Sequence, residues 1–526
     1  MKLIHSIALT LIITIHTASA SAERPNFVFF IIDDAYREML NYAAEGKGKN
    51  YTPHMDRLVR EGTVLSNQQI PSSVCTPSRF SCLTGLFASR SSIAQNDPLC
   101  RQANMTLVAW TTMIDKNTPT LPKKLQRVGY FTGMSGKCHF LWIPGVKRYN
   151  GATDTNDPIV REHLEYNYQR GISAVKETGF DSVESFYLYG QVHDHPIPSL
   201  REHNSDWIAS GAVNLIDQAL AEDKPFYLYV ATTLPHTPYP DDVSWNADPR
   251  VTPRGLLDEP CVVLPSRSTI AQRMESAGIP FSTKKAMMVT IDDTLGLLVD
   301  KLEVTGQLDN TVIFFFNDNG QEGKGTVYEG GLSSPSFIWK AGGFAAGAEV
   351  DALVSNIDFA PTIMDMAGVD YESDEFDGIS LVPLLKGSVN EVRTSSYGEM
   401  GYARTVRKGD WKYIAVRHPK NASEIPSFYF EVPGDPTFGE LPTFGQMAVR
   451  PNNPKNAMDL YGMRKNAAKR YPGYWDADQL YHLSTDPREQ NNVADDPANV
   501  EILKALKDEL RKYCARIPGD FGEFTE

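Results

Sequence analysis

The sequence has fewer basic than acidic side chains. Its 526 residues include 51 Lys and Arg against 65 Asp and Glu, which gives a formal net charge of −14. Such a chain lacks the general positive field through which proteins bind nucleic acid or anionic membranes, so the composition argues against both as partners. A site for an anionic substrate would have to build its positive potential locally.

Long apolar runs are also scarce. The run near the N-terminus, at residues 7–15, follows a basic start and precedes small residues, a pattern that predicts a secretory signal peptide over residues 1–22. This run is too short to span a bilayer comfortably, and no later stretch is apolar enough to do so. We therefore expect an exported protein without a membrane span. It would be periplasmic or secreted in a bacterium, and in the secretory pathway or lysosome of a eukaryote.

Cysteine is rare as well. The six cysteines are Cys75, Cys82, Cys100, Cys138, Cys261 and Cys514. In an exported chain they permit disulfides without defining the pairing. Cys75 differs from the others because it opens an apolar helical run, where backbone N–H groups and the helix dipole favour an anion and lower the pKa of a thiol. The sequence therefore predicts a reactive group at position 75.

Four short apolar runs, rich in aromatic and β-branched residues, predict buried strands. They lie at residues 26–32, 129–134, 226–231 and 311–316. Helical patterns lie between them, at residues 79–89 and 285–304. Strands that alternate with helices predict an α/β fold with a large, mostly parallel central sheet flanked by helices.

The chain changes character near residue 390. Residues 411–416 and 479–483 predict strands of a small, antiparallel sheet, and residues 499–515 predict a closing amphipathic helix. We therefore expect a larger domain over residues 23–390 and a smaller C-terminal α+β domain over residues 391–526.

Polar residues follow each of the four predicted strands of the larger domain. In chain order they are Asp33 and Asp34, then Lys137 and His139, then His236, and then Asp318 and Asn319. Parallel sheets place their sites at the carboxyl ends of their strands, so we expect these side chains to share one edge. The acids and the Asn offer hard oxygen ligands without sulfur or imidazole, which suits Ca²⁺ better than Mg²⁺.

The segment C-T-P-S-R at residues 75–79, followed by L-T-G, resembles the signature of the type I, formylglycine-dependent sulfatases of the alkaline phosphatase superfamily. Other elements are similar to that family too: R-P-N-F-V-F-F-I-I-D-D at 24–34, G-K-C-H-F at 136–140, D-N-G at 318–320, G-K-G-T-V-Y-E-G-G at 323–331 and L-Y-H-L-S-T-D-P-R-E-Q-N-N-V-A at 480–494. The resemblance runs from residue 25 to about residue 495.

This resemblance implies a chemistry for the shared edge. A maturation enzyme would oxidise Cys75 to Cα-formylglycine, whose hydrate on one Ca²⁺ would attack sulfur and release an alcohol. His139 would be the base in the elimination that follows, His236 with Lys324 would protonate the leaving oxygen, Lys137 and Lys324 would neutralise the sulfate, and Arg79 would hold the diol. The implied metal ligands are Asp33, Asp34, Cys75, Asp318 and Asn319. The implied catalytic residues are Cys75, Arg79, Lys137, His139, His236 and Lys324.

The resemblance therefore predicts a sulfuric ester hydrolase that acts on a sulfated carbohydrate. Two alternatives stay open. One is a phosphodiesterase or phosphonate monoester hydrolase that uses the same formylglycine, and the other is a non-catalytic protein that binds sulfated glycans. The chain also departs from the family pattern, because Cys138 stands where an aromatic residue is frequent and Ser333 stands where the E-G-G segment commonly leads to Arg.

Overall fold

The structure is a computed structural model. The residues that it describes are 24–96, 106, 108–109, 112–141, 143, 145–147, 154–188, 192, 195–237, 247–417, 467, 469–519 and 521. The predicted signal peptide at residues 1–22 and Cys100 lie outside the described residues. Among the helices that are described, none is both long and apolar enough to cross a membrane.

The larger layer of the fold is an eight-stranded sheet. The sixteen described strands of the chain begin with β1 (Asn26–Ile32), β2 (Thr63–Leu65), β3 (Gln68–Gln69), β4 (Phe131–Lys137), β5 (Ser182–Tyr187) and β6 (Phe226–Ala231). They continue with β7 (Val251–Thr252), β8 (Gly255–Leu256), β9 (Thr311–Asn317), β10 (Ser336–Lys340), β11 (Glu349–Val350) and β12 (Val354–Ser355). The order in the large sheet is β11-β2-β10-β9-β1-β6-β4-β5. Only β10 runs antiparallel to its neighbours, so the sheet is mostly parallel as predicted.

Helices cover both faces of this sheet. The described α-helices are α1 (Pro53–Glu61), α2 (Cys75–Thr84), α3 (Ser92–Asn96), α4 (Leu121–Arg127), α5 (Pro158–Lys176), α6 (Ser205–Ala221), α7 (Ile270–Ser276), α8 (Thr283–Val304), α9 (Glu329–Leu332), α10 (Phe359–Met366), α11 (Val382–Leu385) and α12 (Val500–Cys514). Alternate side chains of β1 enter different cores: Phe30 packs in the core that contains Leu295 of α8, and Phe29 packs in the core that contains Phe80 of α2. Burial on both faces explains why β1 is apolar from Phe27 to Ile32.

Two predicted elements differ from the structure by more than two residues at one or both ends, and the other differences are smaller. The strand predicted at 129–134 lies at Phe131–Lys137. Its second half was not predicted, because small residues such as Gly136 give it no apolar pattern. Gly136 has φ 93°, and a Cβ there would lie 1.9 Å from the carbonyl oxygen of Ala231 on β6, so only glycine fits. The helix predicted at 79–89 is α2, which begins at Cys75 and ends at Thr84. Gly85 follows it in the left-handed conformation typical of helix ends.

The C-terminal part forms a second, antiparallel sheet. Its strands, in sheet order, are β13 (Ser395–Met400), β14 (Ala403–Lys408), β15 (Trp411–Val416) and β16 (Asp478–His482). Helix α12 closes it, since Leu506 and Leu510 pack against Val406 and Leu480 in one buried cluster. The predicted fold class, a large α/β sheet with a smaller antiparallel sheet at the C-terminal end, is therefore confirmed.

Candidate active site

The carboxyl ends of four neighbouring strands meet at one edge of the large sheet. Strands β9, β1, β6 and β4 are adjacent and parallel, with Asn317 level with Ile32, and Ala231 level with both Ile31 and Gly136. The polar residues that follow these strands therefore start from the same height in the sheet. Helix α2 lies with its first residue, Cys75, at this edge.

A buried cluster of acidic groups surrounds Cys75. Ligand atoms of Asp33, Asp34, Cys75 and Asp318 all lie within 4.8 Å of one another, and all four side chains are buried. The Cys75 Sγ lies 3.8 Å from Asp33 Oδ1 and 3.9 Å from Asp34 Oδ1. Asn319 completes the cluster, because its Nδ2 donates to Asp34 Oδ1 at 2.9 Å and to Asp318 Oδ1 at 2.8 Å.

These residues fit a hard divalent cation. Three carboxylates and an amide oxygen are the donors that Ca²⁺ takes in proteins. The buried Oδ1 of Asn319 has no hydrogen-bond partner, so an acceptor is left over within the cluster. Unpaired buried oxygens are costly, and a cation that bound this atom together with Asp33, Asp34 and Asp318 would remove that cost.

Two lysines lie directly against the acids. Lys137 Nζ is 2.5 Å from Asp33 Oδ2, and Lys324 Nζ donates to Asp34 at 2.5 Å. Lys324 Nζ is also 3.5 Å from the Cys75 Sγ. Both lysine side chains are buried, so the chain supplies here the local positive charge that its overall composition lacks.

The acids differ in their ease of ionisation. Burial raises the pKa of Asp33 to about 8, with the neighbouring acids adding to the effect and Lys137 opposing it. Burial also acts to raise the pKa of Asp34, but Lys324 and His236 outweigh it and hold that pKa below its usual range. A pKa raised this far by burial beside other acids is typical of a functional site.

Arg79 is fixed by two neighbours. Its Nε and one terminal nitrogen donate to Asp318 Oδ2 at 3.1 and 2.9 Å, and its other terminal nitrogen donates to the Tyr229 hydroxyl at 3.1 Å. Although burial opposes it, Arg79 holds the pKa of Asp318 low. Sequence reasoning missed Tyr229, because a tyrosine within the apolar run of β6 has the pattern of a core residue.

Asn317 is a second residue that the sequence prediction missed. It ends β9, and its amide makes two hydrogen bonds of 3.0 Å with the backbone of Ala35. These bonds fix the turn that carries Asp34, whose φ of 64° lies in the left-handed region. The signal in the sequence was a single Asn at the end of an apolar run that was predicted to stop one residue earlier.

Cys75 itself departs from one prediction. The helix start was expected to lower the pKa of the thiol, but burial and the charge of Asp318 raise it. The thiol is therefore protonated and is a poor nucleophile as it stands. The described cysteines are all unpaired, namely Cys75, Cys82, Cys138, Cys261 and Cys514.

Both predicted histidines lie at this edge. His236 Nε2 is 3.2 Å from Asp34 Oδ2, and Nδ1 lies 2.9 Å from the Thr237 carbonyl oxygen. Burial lowers the pKa of His236 to about 3, with Asp34 opposing the shift and Lys324 adding to it. His139 is half-buried with φ 47°, and its buried Nδ1 has no hydrogen-bond partner. Burial and the charge of Lys137 hold its pKa well below the usual range, so the imidazole is neutral.

The arrangement can bind and polarise an anion. Two buried ammonium groups and a place for a divalent cation converge on residue 75, and neutral imidazoles stand beside them. Such a set stabilises negative charge that develops during group transfer and can move protons. The structure thus brings together all the residues predicted for the site.

Comparison with known proteins gives a consistent result. The sequence profile of the family described as Sulfatase matches residues 25–369. Human N-acetylglucosamine-6-sulfatase is 26% identical over 401 residues, an alignment that covers 71% of this chain and 66% of the human protein, just under two thirds of its length. The N-acetylglucosamine-6-O-sulfatase of Bacteroides thetaiotaomicron is 26% identical over 573 residues, covering 98% of this chain and 91% of that protein.

Solved structures share the fold. One, described as a complex with its substrate D-glucosamine-2-N,6-O-disulfate, superposes with a TM-score of 0.55 at 19% identity and covers 94% of this chain and 98% of that one. At this identity the likeness concerns the fold alone. The family match, in contrast, spans well over half of the chain and includes the buried acids, Cys75 and Lys324. The chain therefore belongs to the sulfatase family.

Proposed function

We propose that this chain is an exported sulfatase that hydrolyses a sulfate ester of a carbohydrate through a formylglycine formed from Cys75 and a bound Ca²⁺. The observation that carries the proposal is the position of Cys75, whose Sγ lies among three buried carboxylates and beside the Lys324 ammonium. The names of the human and Bacteroides relatives support a sugar sulfate as substrate.

Asp33, Asp34, Asp318 and Asn319 would hold the cation next to residue 75. When both groups are present, the modified residue 75 supplies a hydroxyl nucleophile, and the cation lowers the pKa of that hydroxyl and polarises the sulfate. In the buried cluster, Arg79 keeps Asp318 ionised and in place. Conversion of Cys75 would also remove the thiol, whose raised pKa makes it unsuited to the task.

Lys137 and Lys324 bind the sulfate oxygens in this proposal. Each ammonium is held by a buried carboxylate, so it is already oriented before the substrate arrives. A divalent cation would favour the ionised form of Asp33 and bring the site to a net positive charge, because Arg79 and the two lysines balance the three ionised acids by themselves. The substrate anion would then restore neutrality, which favours its binding in a buried site.

The histidines move the protons. Nδ1 of His236 donates to the Thr237 carbonyl, so Nε2 is the atom that faces the leaving oxygen. The neutral ring carries no proton on Nε2, so His236 first takes one up there, as the charge of the neighbouring Asp34 favours, and then gives it to the leaving oxygen. His139 is neutral and has an unpartnered ring nitrogen, so it can take a proton from residue 75 when the aldehyde is regenerated. Substrates with different leaving groups can distinguish the two roles, because only the acid protonates the departing alcohol.

Replacement of His236 by Gln should therefore harm substrates with poor leaving groups selectively. For a sugar sulfate we expect kcat to fall by roughly a hundred- to ten-thousandfold, since the alkoxide would leave without a proton. For 4-nitrophenyl sulfate, whose phenolate leaves readily, the loss should be small. Steady-state kinetics on both substrates measures this difference.

His195→Gln is the matched control. His195 is also a buried histidine, but its ring nitrogens lie 3.1 Å from the carbonyl oxygens of Ile197 and Pro253, away from the acidic cluster. Equal losses on both substrates for His236→Gln would contradict the assignment of the acid.

Paired substrates test the reaction itself. The purified, matured protein should hydrolyse N-acetylglucosamine 6-sulfate or another sugar sulfate faster than bis(4-nitrophenyl) phosphate, and sulfate release can be followed by ion chromatography. Faster turnover of the diester would favour the phosphodiesterase alternative, and binding of sulfated sugar without turnover would favour the non-catalytic one.

Export and domain division are parts of the same proposal. Residues 1–22 would direct the chain out of the cytoplasm, residues 23–390 would carry the reaction, and residues 391–526 would form the C-terminal domain. N-terminal sequencing of the mature protein, expected to begin after Ala20 or Ala22, tests the first of these statements.

A further inference from the structure

A second buried charge cluster lies between the large sheet and the C-terminal sheet. It joins Glu329 at the start of α9, Lys412 on β15 and Glu489 in the segment after β16. Lys412 Nζ is 2.8 Å from Glu329 Oε1 and 3.0 Å from Glu489 Oε1, and Lys412 and Glu489 are each only 1% exposed. Neither the metal ligands nor the proposed acid and base belong to this cluster.

The shared cation is what makes the cluster possible. Burial raises the pKa of Glu489 to about 7, with Lys412 opposing the shift and Glu329 adding to it. The two acids thus repel each other, and Lys412 lies between them as their common partner. Removal of one partner from a buried ionic group is costly, because it leaves a charge without compensation.

The backbone of Glu489 is strained. Its φ of 56° lies in the left-handed region, which residues with a Cβ seldom adopt. This conformation puts Glu489 Oε2 2.6 Å from the backbone nitrogen of Glu329, which donates to it. Strain of this kind persists where surrounding contacts determine the conformation, often at functional sites.

From Glu329 the contacts lead directly to the segment that carries Lys324. Gly330 and Gly331, which follow Glu329, accept hydrogen bonds through their carbonyl oxygens from the nitrogens of Gly323 and Gly320, at 2.8 and 3.0 Å. Lys324 is thus held against the segment 329–331 by its neighbour in the chain. A shift of Glu329 would be transmitted to the ammonium beside Asp34.

Glu329 also touches the chain that leads to Cys75. Its Oε2 accepts from Gln69 Nε2 at 3.1 Å, and Gln69 ends β3, six residues before Cys75. A single carboxylate therefore contacts the C-terminal sheet, the Lys324 segment and the approach to residue 75.

We infer that Lys412 and Glu489 are positioning residues: through Glu329 they hold the segment 320–331 so that Lys324 stays beside residue 75. This inference rests on the proposed function in giving Lys324 a part in the reaction. The C-terminal sheet then contributes to turnover without touching the substrate. It also assigns a role to Glu489 of the D-P-R-E segment at 486–489, a segment that contributes no residue to the active site.

Hydrogen exchange measured by mass spectrometry tests the inference without any turnover. In Lys412→Met, the amides of residues 319–332 should exchange at least roughly tenfold faster than in the wild type. Local opening becomes easier because the buried Glu489 loses its cation and Glu329 is left with Arg407, 3.1 Å from its Oε2. Lys412→Arg keeps the charge and should preserve the protection. Lys408→Met, the same change at an exposed lysine on the adjacent strand β14, should have no effect.

Kinetics provides the second readout. Lys412→Met should lower kcat on a sugar sulfate by roughly ten- to a hundredfold, because the Lys324 ammonium would no longer be held in its catalytic position. KM should change little, and Lys412→Arg should restore most of the rate. Glu489→Gln is a milder change, because it leaves Lys412 paired with Glu329. If Lys412→Met does not fold, Glu489→Gln takes its place in the test and should show the same local exchange pattern at smaller amplitude.

Two results would overturn the inference. One is unchanged exchange over residues 319–332 in Lys412→Met and Glu489→Gln. The other is faster exchange spread evenly over both sheets, which would reveal a general loss of stability. If the wild type hydrolysed no sulfate ester, the proposed function would fail, while the exchange pattern would still decide whether Lys412 holds the Lys324 segment.

Discussion

Cys75→Ala should abolish hydrolysis of sulfate esters and leave the fold intact. The change removes the only atom at position 75 that can be converted to an oxygen nucleophile, so we expect kcat to fall by at least about ten-thousandfold, as for other enzymes that lose their nucleophile. Alanine at position 75 removes one buried sulfur but no ion pair, and the hydrogen bonds that hold Arg79 stay in place. Sulfate release by the purified variant is the measurement.

Cys82→Ala is the matched control for this result. Cys82 is also buried and lies on the same helix α2, two turns further along, but it belongs to the hydrophobic core. Its variant should keep most of the turnover. Mass spectrometry of the wild-type peptide that contains residue 75 should show an aldehyde in place of the thiol. Normal turnover by Cys75→Ala would rule out the assigned nucleophile.

Removal of the cation should have the second largest effect. After treatment with a chelator we expect turnover to fall by at least roughly a thousandfold, because the polarisation of the sulfate and the lowered pKa of the nucleophile are lost together. Added Ca²⁺ should restore the rate. It should also raise the melting temperature by a few degrees, since calcium at about a hundred times its Kd stabilises the folded state by about 2.7 kcal/mol.

Asp318→Asn should remove most of this response to calcium. Its matched control is Asp292→Asn. This carboxylate is also buried, but it accepts hydrogen bonds from the backbone of His54 and Met55 and is not a member of the acidic cluster. Calorimetric titration with calcium should show binding by Asp292→Asn and not by Asp318→Asn. Full turnover by protein that elemental analysis shows to be free of metal would disprove the calcium site.

Much of the fold is predictable from local sequence. Strands β1, β6 and β15 have the predicted bounds because aromatic and aliphatic side chains make up most of each run and polar residues follow it. Strand β4 does not, because its second half consists of small residues whose place in the sheet depends on close contact with β6. Cys75 opens α2 as predicted, but the helical pattern predicted at residues 79–89 extends beyond this helix, which ends at Thr84 because Gly85 terminates it.

The candidate site was predictable for a related reason. Residues directly after parallel strands are brought together by the sheet itself, so the positions of Asp33, His236 and Asp318 in the chain already imply proximity. Tyr229 and Asn317 were not predicted, because each belongs to a buried strand and acts through the polar group at the end of its side chain. Nothing in a periodic pattern distinguishes such a residue from an ordinary core side chain.

The sequence by itself determined the fold class, the family and the residues that meet at the edge of the sheet. Only the tertiary structure decided how these residues act on one another. The raised pKa of the Cys75 thiol and of Asp33 follows from burial among like charges, which depends on three-dimensional packing. The cluster of Glu329, Lys412 and Glu489 has the same origin. Its members are far apart in the chain, and only the packing of the two sheets puts one ammonium between two carboxylates.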